Sequence, residues 1–201
     1  ATEADGTKMD YAFSFRVQLQ ITDRFTYASA SLSAAAYREG EITLDGKKRQ
    51  IALVDYNSNG RFDDKMTIRD ARSTDGKIYP SYGDVLLLDY ADAASGAYLS
   101  SYDPAIRACR HQVSELVGID GRFYELEISP AGDKLSLVPS SAPTGKVTNP
   151  NDGFRAMVYG DRGVLSIAGG KSEPAVLPEG EWKLLTYTID RTGYEPKEEE
   201  E

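Results

Sequence analysis

The stretch VDYNSNGRFDD, residues 54–64, sets Asp55, Asn57 and Asn59 at alternate positions, follows them with Gly60, and closes on the adjacent acids Asp63 and Asp64. Carboxylate and amide oxygens are hard donors, and a hard cation such as Ca2+ gathers about six to eight of them. Gly60 permits the sharp bend that turns such donors inward. Arg61 can contribute its backbone carbonyl while its guanidinium points outward. Asp64 then closes the shell, with Asp63 as a reserve ligand or the holder of a water. The predicted calcium ligands are Asp55, Asn57, Asn59, Arg61, Asp63 and Asp64. The same residue types also build an ion-free turn, because Asn and Asp side chains bond their neighbours' backbone N–H groups. The residues alone leave both readings open.

With Asp55 as position 1, Asn57 and Asn59 fall at 3 and 5, Gly60 at 6, Arg61 at 7 and Asp63 at 9. On these residues, 55–64 resembles the EF-hand-like calcium loops of secreted bacterial proteins, including dockerin-type and shortened versions. The resemblance departs at position 12, where Met66 stands in place of a bidentate Glu. It implies a calcium-binding turn and no enzymatic activity. The loop follows the strand-like IALV and precedes KMTIRD, so no helix–loop–helix domain is expected. Asp84 and Asp89, on either side of VLLL, are candidates to add an oxygen from a neighbouring strand.

Other constellations are weaker. His111 is the only histidine and Cys109 the only cysteine. A thiolate pair between them needs a strand, where residues two apart share a face. No nucleophile or zinc signature accompanies them. The AGGKS of residues 168–172 fails as a phosphate loop, since Leu165 occupies the position of the required first glycine. Glu125/Glu127 and Glu179/Glu181 are carboxylate pairs of the kind a glycan-directed hydrolase uses, and of the kind any acidic β-protein carries on its surface. Tyr79, Tyr82, Tyr98 and Tyr102 could form a carbohydrate-stacking platform.

The elements that must hold these residues read mostly as strands. FSFRVQLQI, 13–21, alternates Phe13, Phe15, Val17, Leu19 and Ile21 with polar residues, which predicts a half-buried strand. EITLDGKKRQIALVD predicts two strands joined at Asp45-Gly46, and an equivalent unit follows Asp120-Gly121. GDVLLLD, 83–89, predicts a strand buried on both faces. YASASLSAAAYREG favours strand. Residues 102–118 offer Asp103 as an N-cap, Pro104 at the first turn and Gly118 as a stop, predicting one short helix. Residues 139–153 collect Pro, Ser, Asn and Gly into a predicted linker, beyond which FRAMVYG, GVLSI and EWKLLTYTI predict three more strands. The expected fold is mainly β, an antiparallel sandwich-like architecture. Residues 10–139 would form a larger β domain, 150–192 a smaller one packed against it, and 193–201 an acidic tail. VLPEGEWKLLTYTI, 176–189, resembles the closing hairpin of prealbumin-like and carboxypeptidase-regulatory β-sandwich modules. That resemblance implies a structural or adhesive module.

The 201 residues carry a formal charge of −9, and their Lys and Arg are dispersed, which argues against nucleic acid as a partner. No apolar run reaches the roughly 20 residues of a membrane-spanning helix. A lone cysteine excludes an intrachain disulfide. The chain begins without Met, which suggests a processed form and, with the calcium loop, a secreted, periplasmic or cell-envelope location. The expectation is a non-catalytic binding or adhesion module whose partner is a carbohydrate or a cell-envelope protein. The alternative is a glycan-directed hydrolase.

Overall fold

The alternation in FSFRVQLQI produces β1 (Phe13–Ile21), which turns through Thr22–Phe25 and returns as β2 (Thr26–Ala34) in unbroken antiparallel register. Thr22 closes the turn by exchanging bonds with Phe25, its N–H donating to the Phe25 carbonyl at 2.9 Å. In this computed structural model, residues 2–3, 6–8, 10–68, 78–90 and 109–190 are described. Among them no other strand joins this hairpin, and β1 is exposed along its whole length. The expectation of a half-buried strand is corrected on that point. Period-two patterning fixes which residues share a face, but it does not supply the layer that covers them.

β3 (Tyr37–Leu44) and β4 (Lys47–Val54) meet at Asp45-Gly46, whose φ values of 50° and 77° are those of a tight hairpin turn. After the loop 55–64 come the short β5 (Thr67–Ile68) and β6 (Pro80–Ser81), which pair with each other. β7 (Val85–Leu88) inserts beside β4, and β8 (Arg110–Gln112) pairs on its far side, giving the sheet β3-β4-β7-β8. All four residues of β7 are buried, as a central strand with apolar clusters on both faces requires.

β9 (Leu116–Ile119), β10 (Arg122–Ile128) and β11 (Leu135–Pro139) form a second, three-stranded sheet, with Asp120-Gly121 repeating the first turn at φ 50° and 76°. The two Asp-Gly turns are tied reciprocally. Arg49 donates to Asp120 at 2.6 Å, and Arg122 donates to Asp45 at 2.9 Å. Between the sheets lies the main core, where Leu53, Phe62, Leu86, Val117, Tyr124 and Leu126 pack together.

The helix expected over 102–118 does not form where the chain is described. Residues 110–112 and 116–119 are strands, and 102–108 lie outside the described residues. Leu116 and Val117 are both buried because they face different cores, a demand that a one-sided helix cannot meet.

β12 (Thr144–Val147) lies inside the predicted linker and pairs with β15 (Ala175–Pro178), so part of that stretch is a strand. β13 (Phe154–Gly160), β14 (Gly163–Gly169) and β16 (Lys183–Ile189) form the sheet β14-β13-β16. Phe154, Val158, Leu165, Ile167 and Leu177 build a second core that Leu116 enters from β9. The fold is mainly β, with every strand pair antiparallel and sheets packed face to face on shared cores. No membrane-spanning helix occurs among the described residues.

Candidate metal centre

β4 delivers its apolar residues to the core and ends at Val54, and the next residue, Asp55, is almost fully buried. Its carboxylate stops the strand by capturing the next turn. Oδ2 accepts the Gly60 N–H at 2.7 Å, Oδ1 accepts the Asn59 N–H at 3.2 Å, and the Tyr11 hydroxyl donates to Oδ2. Ser58 and Gly60 take positive φ values of 60° and 82°, which reverse the chain. Asn57 Oδ1 accepts the Asn59 N–H at 3.2 Å, and Asn59 Oδ1 accepts the Arg61 N–H at 2.8 Å. Phe62 then enters the main core with no exposed surface, and its N–H donates to the Pro130 carbonyl at 3.0 Å.

Three of the predicted ligands converge. Asp64 Oδ2 accepts Asn57 Nδ2 at 2.8 Å and Asn59 Nδ2 at 2.5 Å. In this arrangement the amide nitrogens face Asp64 while the oxygens accept the Asn59 and Arg61 N–H groups, so ligation of a cation by these side chains requires the amides to turn over. Asp55 stands apart from this cluster in its direct bonds, joined to it through the Asn59 N–H. Asp63 Oδ2 pairs with the Arg61 guanidinium at 2.8 Å, while its Oδ1 is buried and has no hydrogen-bond partner. The outward guanidinium expected for Arg61 is thus turned onto Asp63.

Of the two flanking acids, Asp84 joins the loop and Asp89 does not. Asp84 is fully buried just before β7. Its Oδ1 accepts the Tyr56 N–H at 3.0 Å and its Oδ2 accepts the Asp64 N–H at 2.9 Å, so one carboxylate binds both shoulders of the loop. Burial pushes Asp84 up to about 6. The two backbone N–H bonds oppose that shift, and the nearby Asp64 and Asp55 charges add to it. Asp89 instead pairs with Arg49 and accepts the Gln50 N–H. Gly83 makes the approach possible, since a Cβ there would stand 2.2 Å from the Asp64 carbonyl oxygen.

Two further contacts escaped the sequence reading. Ser58 Oγ accepts the Ala34 N–H at 2.8 Å, and Tyr11 sits 4.7 Å from Phe13 and 6.3 Å from Phe62, ring centre to ring centre. The loop therefore holds both strands of the β1–β2 hairpin at their base. Ser58 had no visible signal beyond its even position between the alternating donors. Tyr11 lies 44 residues from its partner Asp55.

Hydrogen bonds of this kind are sufficient for a turn. What exceeds a turn's needs is the charge: among the described residues, Asp55, Asp64 and Asp84 take hydrogen bonds from backbone, amide and phenol donors, while the buried Asp63 Oδ1 meets none. Among the described residues no cluster of three or more His, Cys, Asp or Glu side chains is arranged to hold a metal. The donors that the loop 55–64 offers are carboxylate, amide and carbonyl oxygens, which are hard donors, and it contains no thiolate or imidazole.

The remaining candidates sit elsewhere. Cys109 is buried with Ala52, Val85 and Leu87, and His111 lies opposite Leu86 in β8 with its pKa lowered by burial and by Arg49. Glu125 is paired with Arg162 at 2.9 Å. Tyr82 is half-exposed and meets Tyr56 edge-on at 5.9 Å, with the Arg110 guanidinium 5.5 Å from the Tyr56 ring centre. Tyr98 and Tyr102 lie outside the described residues. Comparison with family models, with curated proteins and with solved structures finds no match.

Proposed function

We propose that the loop 55–64 binds one Ca2+ as a structural staple in an exported, cell-envelope-associated β-protein that acts as a binding or adhesion module. The observation that carries this reading is the convergence of Asn57 and Asn59 on Asp64 Oδ2, beside the partnerless buried oxygen of Asp63. Asp55, Asn57, Asn59, Asp64 and the Arg61 carbonyl would hold the ion, with Asp63 as reserve ligand. The ion would supply positive charge and nothing else. Its effect would be to rigidify the base of the β1–β2 hairpin through Ser58 and Tyr11.

Calorimetric titration of chelator-treated protein with Ca2+ tests the proposal. One binding event is expected, lost or weakened at least tenfold in Asp64→Asn, which keeps the side chain's shape and removes its charge. Absence of heat from the wild-type chain would overturn the reading. The adhesive role rests on Tyr56 and Tyr82, exposed beside the loop and suited to stacking on sugar rings. A glycan array comparing wild type with Tyr82→Ala is the check, and equal signals from both would remove the tyrosines from the role.

The hydrolase alternative has one observation in its favour. Asp161 and Glu181 line a shared depression of about 190 Å³ together with Tyr159 and Lys183. Reducing-sugar release from polysaccharide, abolished in Glu181→Gln, would establish that activity.

A further inference from the structure

We propose that the apolar face of the β1–β2 hairpin is a self-association surface on which a second copy of this chain docks, the twofold axis running along the strands. Phe13, Phe15, Val17, Leu19 and Ile21 project from one face of β1 and are 47–70% exposed, and Leu32 of β2 adds to them at 56%. The opposite face carries Ser14, Arg16, Gln18 and Gln20 with Ser29, Ser31 and Ser33, and its one large ring, Tyr27 opposite Gln20, carries a hydroxyl. Water therefore suits one side and not the other. Side chains of the first kind offer on the order of 150–200 Å² each when free, so six of them, rather more than half exposed, present about 600 Å². A stable pair of proteins buries roughly 800 Å² per partner, which this face approaches once the small residues of β2 are added. A two-stranded hairpin standing by itself is marginal in water, so the hairpin gains from being covered.

The relief of the face selects the occupant. The register sets Phe13 opposite Ala34, Val17 opposite Ala30, and Leu19 opposite Ala28. β1 is thus a ridge of large side chains and β2, apart from Leu32, a trough of small ones. An axis parallel to the strands lays the ridge of each copy over the trough of the other, so that Val17 meets Ala30 and Leu19 meets Ala28 across the interface. Such a contact is closed and self-complementary. An axis across the strands would stack ridge on ridge. A lipid-facing hairpin has no use for a trough, because alanines bury too little apolar surface to reward insertion.

Sedimentation of the full chain at about 10 µM tests this, since interfaces of this area bind in the micromolar range or tighter. The expected mass is twice the 22.0 kDa of one chain. Leu19→Glu should weaken association at least tenfold. Ala30→Phe should do the same, although it makes the face more apolar, because it fills the trough. Ser31→Glu, on the polar face, should leave the mass unchanged, and circular dichroism should show the same β-content in all variants. A monomeric wild-type chain would overturn the proposal. So would an Ala30→Phe variant that associates as tightly as wild type, a Ser31→Glu variant that dissociates, or insertion of the hairpin into phosphatidylcholine vesicles.

Discussion

Asp84 and Asp64 are bonded twice: the Asp64 N–H donates to Asp84 Oδ2 at 2.9 Å, and the Asp84 N–H donates to the Asp64 carbonyl at 2.8 Å. The buried acid is therefore both a clamp and a cost. Its pKa of about 6 in the folded chain exceeds the 3.8 of the free group, so the folded state holds this proton more tightly than the unfolded state does. The resulting contribution to stability is complete below pH 3.8 and is lost as pH rises through about 6. With chelator present, urea unfolding should show Asp84 contributing on the order of 3 kcal/mol less above this window than below it. His111 works in the opposite sense: its lowered pKa gives stability above the ordinary value of 6.5 that is lost as pH falls through the depressed value. The informative quantity is therefore the difference between wild type and Asp84→Asn, which should vary with pH in the direction given. A difference that is flat between pH 4 and 7 would show that burial does not govern this acid.

Ser58→Gly should loosen the hairpin without disturbing the loop's own path. Glycine accepts the positive φ at least as well as serine, so the substitution removes the acceptor for the Ala34 N–H and little else. Hydrogen exchange at the Ala34 amide should accelerate about fivefold or more, as expected from losing a bond of about 1 kcal/mol. Core amides such as that of Leu53 should be unaffected. Unchanged exchange at Ala34 would mean the hairpin base is held by other contacts.

Phe62→Ala should cost about 3–5 kcal/mol in chemical unfolding, because a wholly buried aromatic ring is replaced by a cavity. The ring lies in the chain between Arg61 and Asp63, so the calcium binding proposed for the loop should weaken together with stability. A loss below about 1 kcal/mol would show that the loop repacks without this anchor.

Strand identity was legible wherever the pattern was local. FSFRVQLQI matches β1 residue for residue, VLLL matches β7, and both Asp-Gly turns are hairpins. What depended on distant partners was not legible. The pattern of β1 gave its faces but not that no described strand covers them, and residues 102–118 read as a helix although the burial of Leu116 and Val117 comes from two separate cores. At the loop, the side chains of Asp55, Asn57 and Asn59 accept backbone N–H groups of the turn, as the local Asn and Asp pattern allowed. The choice between Asp84 and Asp89 needed β7 to be placed beside β4, which no spacing in the chain records.

The close approach at Gly83 closes one route of change to this protein. A methyl group there would overlap the Asp64 carbonyl oxygen and crowd Lys65 and Met66, with 2.5 Å to each backbone. Even alanine would push the start of β7 away from the loop's exit and drag Asp84 off both its N–H donors. Substitutions can exchange the loop's oxygens one at a time without touching this junction, and would retune or abolish the calcium binding proposed for it. A side chain at position 83 can be acquired only by rebuilding the junction around it, so a library aimed at this region should vary the acids and leave that residue untouched.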